Sequence, residues 1–100
     1  MINIEMLEIE GKKVQGVRMV APGGEGHPNM IVILCEKGYI MCGYLNQPLA
    51  EQFGDAAAVV GGSTFEDILA NPVKAVTPEA AKLGIEVGMT GAEAAAKLNA

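Results

Sequence analysis

The most reactive group in this chain is the thiol of Cys42. It lies in the stretch Lys37-Gly38-Tyr39-Ile40-Met41-Cys42-Gly43-Tyr44-Leu45-Asn46, where glycines and two aromatics share a short span of backbone. A cysteine acts as a nucleophile or redox group through its thiolate, which a nearby cation or a helix N-terminus favours. Asn46 and Pro48 carry helix-start chemistry just downstream, so such a terminus is expected close by. A functional reading therefore places a pocket around Tyr39, Cys42, Gly43 and Asn46. The plainer reading is a buried thiol behaving as a small hydrophobe. Gly43, as a glycine within a strand, is expected to mark a close backbone approach, so Gly43→Val should harm folding more than Gly24→Val.

The remaining chemistry is sparse. His27 is the only histidine and the only side chain whose ordinary pKa lies near neutrality. It sits among Gly23, Gly24, Gly26 and Pro28, where a solvated imidazole is the ordinary outcome. Two cysteines and one histidine fall one short of the four N/S ligands of structural zinc, so no metal and no cofactor is expected. Whether Cys35 can bridge Cys42 depends on the hairpin between them. A Lys37-Gly38 loop makes them diagonal neighbours, a Gly38-Tyr39 loop sets them face to face, and a Glu36-to-Gly38 loop puts them on opposite faces. Only the second register suits a disulfide, and free thiols are expected.

The glycines at 23, 24 and 26 lack the Gly-Lys-Ser/Thr ending of a phosphate loop. Gly61, Gly62 and Ser63 make a better anion candidate: a strand, two glycines, then a helix start with free N–H groups. The alternative is a tight strand-to-helix turn with an ordinary serine cap.

One hundred residues, half of them hydrophobic, make one domain over 1–100 with a core of Ile, Val, Leu, Met and Ala. Seven Lys+Arg against twelve Asp+Glu leave a formal charge of −5, and the basic residues are scattered, so nucleic acid is not an expected partner. No apolar run approaches the ~20 residues of a membrane helix, and the first residues do not read as a signal peptide. A cytoplasmic protein is expected.

Residues 2–9 alternate in polarity with a slip in phase, which predicts a strand with a bulge. Glu10-Gly11-Lys12 is a turn, and residues 14–20 a second strand antiparallel to the first. Residues 21–29 form a surface loop. Residues 30–35 are apolar without alternation, which predicts a strand covered on both faces. A fourth strand runs over 39–45. Beyond it, Pro48 opens a helix that Gly54 ends, and 56–60 form a strand. Ser63-Thr64-Phe65-Glu66 opens a second helix, which Asn71-Pro72 ends. Thr77-Pro78 opens a third, closed by Gly84 with Ile85 folding back. The capping box from Thr90 to Glu93 opens the last. This is an α+β layout: a two-layer sandwich of a mostly antiparallel sheet with short helices packed on one face.

Residues 38–46, together with Thr77-Pro78-Glu79-Ala80-Ala81-Lys82-Leu83-Gly84-Ile85 and Val87-Gly88-Met89-Thr90-Gly91-Ala92-Glu93-Ala94, resemble the YunC-like family of small, uncharacterised bacterial and archaeal proteins. The resemblance spans about residues 9–98 and departs from the family in a longer loop over 23–27, which argues against a shared role for His27. It implies a compact two-layer α/β sandwich in the cytoplasm and no particular reaction. The expected function is a non-enzymatic oligomeric or partner- and ligand-binding module; the alternative is a small thiol-dependent enzyme or ligand-binding protein with its pocket around Cys42. A homo-oligomer is expected, because a strand apolar on both faces needs more cover than one short chain supplies.

Overall fold

A computed structural model describes all residues 1–100. Its elements are β1 (Ile2–Ile9), β2 (Lys12–Met19), β3 (Met30–Leu34), β4 (Tyr39–Met41), α1 (Gln47–Gln52), β5 (Ala57–Val60), α2 (Phe65–Ala70), β6 (Val73–Val76), α3 (Pro78–Lys82) and α4 (Gly91–Leu98). The six strands form one sheet in chain order. Every pairing is antiparallel except β4 with β5, which run parallel and are joined through α1. The fold is the α+β arrangement expected from a run of strands followed by short capped helices.

Local chemistry explains most boundaries. Glu10 and Gly11 both take positive φ (50° and 79°), the pairing a two-residue hairpin turn requires, and Ile9 faces Lys12 across it. The oxygens of Asn46, Thr64, Thr77 and Thr90 each accept from the amide three residues on, capping α1 to α4. Thr64 replaces the expected Ser63 as cap of α2. Gly54 and Gly84 end α1 and α3 in the left-handed region, and Ile85 donates back to Ala80 O at 3.3 Å.

Ile31, Ile33, Ile40, Ala58 and Val60 line one face of the sheet and are fully buried, packed with Phe65 and Ile68 of α2, Ala80 of α3 and Ala94, Ala95 and Leu98 of α4. Gly16 makes room for this layer: a Cβ there would meet the Phe65 ring at 2.7 Å. The turn between β3 and β4 is tied to the end of α4, with Lys37 N donating to Leu98 O and Glu36 N to Asn99 Oδ1, both at 2.8 Å. Helix α1 adds a small patch on the opposite face, where Ala50 and Ala57 are buried apart from the main core.

Several expectations change. Strand β1 pairs with β2 without a bulge; its slip in phase instead marks a change of buried side, with Ile2, Ile4 and Met6 on the open face and Leu7 and Ile9 toward the helices. Strand β3 is covered on one face only: Ile31 and Ile33 are sealed, Met30 and Val32 half-buried and Leu34 exposed. Strand β4 ends at Met41 rather than at residue 45, where a turn closed by Leu45 N on Cys42 O takes over, and β6 adds a strand with no sequence signal, since Val-Lys-Ala-Val is short and follows directly on a helix stop. Gly43 touches nothing that a Cβ would disturb; the close approaches to neighbouring backbone fall at Gly38 and Gly91. Gly24, at φ 117°, is the position strained by a side chain, which reverses the expected order of Gly43→Val and Gly24→Val.

Candidate functional site

Three chain segments meet at one end of the sheet: the entry to β3, the exit from β4 and the exit from β5. Pro28, Asn29, Cys42, Gly43, Tyr44, Gly61 and Gly62 line a cleft of about 310 Å³ there. Hydrogen bonds hold its walls. The Asn29 side chain accepts from Ala21 N at 3.0 Å and donates to Ser63 O at 3.1 Å, bridging the long loop to the start of α2. Asn71 Nδ2 donates to Gly61 O at 2.8 Å. Strand pairing carries on past β4, with Cys42 N donating to Ile31 O at 3.0 Å, before a turn closed by Leu45 N on Cys42 O.

The thiol at the floor is occupied. Cys42 is only 4% exposed, and its Sγ accepts from Ile31 N at 3.3 Å while facing Asn29 O at 3.9 Å. No acid, base or cation hydrogen-bonds the sulfur. His27 stays within its own loop, where its Nδ1 would lie 2.7 Å from a Cβ on Gly23. Cys35 and Cys42 are both free. The hairpin loop is Glu36-Lys37, with Leu34 opposite Tyr39 and Cys35 N bonded to Gly38 O. This register, none of the three considered from sequence, sets Cys42 beside Ile31, four residues along the strand from Cys35. Burial pushes the Cys35 thiol up to about 11. No group of three His, Cys, Asp or Glu side chains is placed to hold a metal ion.

The expected pocket divides in two. Cys42 and Gly43 line the cleft, joined by Gly61 and Gly62 from the separate anion candidate. Tyr39 and Asn46 sit in a smaller groove beside α1 with Leu45, Leu49, Ala50, Phe53 and Asp55. There Asn46 Oδ1 caps α1 through Leu49 N at 3.2 Å. Tyr39 donates to Asp55 Oδ2 at 2.6 Å; burial, that bond and the neighbouring carboxylate push its phenol up to about 12. The anion reading of Ser63 meets an internal competitor, since its amide already donates to Asp67 Oδ2 at 3.2 Å. Pro28, Asn29 and Tyr44 were missed as lining residues. Asn29 closes a loop whose path no local pattern specifies, and Tyr44 was legible only as a member of its segment.

Comparison with known proteins agrees with the residue blocks singled out above. A family described as "Domain of unknown function (DUF1805)" matches residues 41–98. The chain is 36% identical over 103 aligned residues to the uncharacterized protein YunC of Bacillus subtilis (strain 168), covering 98% of each. The crystal structure of TA1206 from Thermoplasma acidophilum, a protein of unknown function, superposes with a TM-score of 0.89 at 35% identity, covering 99% of this chain and 94% of that one. With the matched segment holding Cys42, the glycine wall and every helix, the chain belongs to the YunC-like DUF1805 family.

Proposed function

We propose that this protein is a non-enzymatic binding module whose ligand enters the cleft between Asn29, Cys42 and Gly61. The observation that carries the reading is the position of that cleft. It lies at the carboxyl ends of β4 and β5, the one parallel pair, where the chain leaves β4 for α1 on one face and β5 for α2 on the other. Connections that part to opposite faces open a crevice between them, and ligands of open α/β sheets bind at that point. Three of its seven lining residues are glycines, which leave backbone groups accessible, and Tyr44, 41% exposed, adds a flat ring. That lining suits a small planar, uncharged group stacked on Tyr44 and hydrogen-bonded to backbone.

The thiol enzyme is the weaker reading, because Sγ already serves as acceptor for a buried amide and no base adjoins it. Free thiols and the absence of a bridging register support a reducing compartment such as the cytoplasm. Alkylation with iodoacetamide at neutral pH separates the two readings. Cys42 in the folded protein should react far more slowly than free cysteine, while a fragment screen by amide chemical shifts should move the signals of Gly43, Tyr44, Gly61 and Gly62. Alkylation faster than free cysteine refutes the binding-module reading in favour of the enzyme. Shifts clustered elsewhere remove the cleft from it.

A further inference from the structure

The sheet face opposite α2 and α4 is apolar over β1 to β3, its side chains exposed along β1 and half-buried at Val17, Met19, Met30 and Val32. Pairing puts Ile4, Val17, Val32 and Met41 in one row across the strands, flanked by the row Ile2, Met19 and Met30. Ile2, Ile4 and Met6 are 57%, 61% and 63% exposed. We propose that this face is the interface with a second copy of the same chain, the two sheets stacking about a two-fold axis.

Area supports it. From Ile2 to Met6 is about 13 Å along the strand and from β1 to β4 about 14 Å across it, a flat floor of roughly 200 Å² that its upright side chains enlarge. With them it falls among the apolar patches of a few hundred Å² that mark functional surfaces on ordinary monomers. A polar rim including Gln15, Glu8 and Lys13 brings it toward the roughly 800 Å² per partner of a stable interface.

Charge selects the occupant. The rows hold no ionised side chain, so identical faces meet without like-charge contact. At the end of the floor Glu8 pairs with Lys13 on the same side, an acid beside a base, so the rim complements itself under a two-fold. A basic or acidic protein partner would find no opposite charge on this floor. A chain of net charge −5 is repelled by anionic lipid. The step also has the right height: stacked sheets lie about 10 Å apart, close to the diameter of a helix, so a partner sheet on the floor would share a layer with α1.

Light scattering behind a sizing column, at about 100 µM protein, tests this. The wild type should elute at twice its 10.4 kDa mass. Ile4→Glu and Met6→Glu, both at positions exposed in the single chain, should retain the native circular dichroism spectrum and return to 10.4 kDa, with dimerisation weakened about a hundredfold or more by each buried charge. Val87→Glu, exposed but away from this face, should leave the dimer unchanged. A wild type at the monomer mass overturns the proposal. So does any assembly whose mass Ile4→Glu and Met6→Glu leave unchanged, as pairing through the free edge of β1 would. A monomer that floats with neutral phosphatidylcholine vesicles gives the face to lipid instead, and equally overturns it.

Discussion

Gly38→Ala isolates a single contact. Gly38 has an ordinary φ, so alanine incurs no backbone strain there, and the whole effect is steric. A Cβ at this position would overlap the carbonyl oxygen of Ala56, which is held in place as acceptor of Tyr39 N at 3.1 Å. To admit the methyl, the start of β4 must move away from the chain entering β5. Overpacking of this kind costs about 1–3 kcal/mol, and losing the buried Tyr39–Ala56 bond adds about 1 kcal/mol. A total of about 2–4 kcal/mol corresponds, at about 4–8 °C per kcal/mol for a domain of this size, to a fall in Tm of roughly 8–32 °C. Gly43→Ala is the control, because nothing lies within 4 Å of its added Cβ and its φ is also ordinary; it should stay within about 0.5 kcal/mol of wild type. Thermal and urea unfolding followed by circular dichroism measure both. Equal midpoints for the two variants would falsify the close approach at Gly38, and with it the account of how β4 and β5 are held together.

At Cys42, serine should unfold at higher denaturant than alanine by about 1 kcal/mol, because a hydroxyl still accepts from Ile31 N whereas alanine leaves a buried amide without a partner; equal midpoints refute the structural role of the sulfur. Thr90→Ala removes the cap of α4 and should cost about 1 kcal/mol. Bonds from the Thr90 backbone and side chain hold the Glu93 carboxyl below its usual range, so its contribution is present above the ordinary carboxylate pKa and lost on acidification; Glu93→Gln should flatten that part of the stability–pH curve. Tyr39 has the opposite sign. Its phenol is raised to about 12, so its contribution is whole below pH 10 and lost as pH rises toward 12, and Tyr39→Phe should remove that alkaline slope; an absorbance titration showing ordinary ionisation of both tyrosines would refute the Asp55 contact.

Local chemistry, which acts over three or four residues, was legible in the chain itself. Thr77, Thr90 and Asn46 cap the helices they were expected to begin, Gly54 and Gly84 end theirs, and Glu10-Gly11 turns the first hairpin, because caps and turns depend on atoms close along the backbone. What joins distant segments was not. The phase slip in residues 2–9 has the same pattern whether a strand bulges or changes its buried side, and only the helices over Leu7 and Ile9 decide between them. Residues 30–35 are apolar throughout, yet α2 and α4 reach one face of β3 and α1 stops short of the other. Cys42, Gly43, Gly61 and Gly62 belong to one cleft because β4 and β5 run parallel, while Tyr39 and Asn46, within four residues of Cys42, are carried to the other side of the sheet by the two-residue period of the strand and the turn that follows it. Propensity and capping settled where the helices start and stop; which faces meet, and which apolar face stays open, was decided by tertiary packing, since burial depends on residues far apart in the chain.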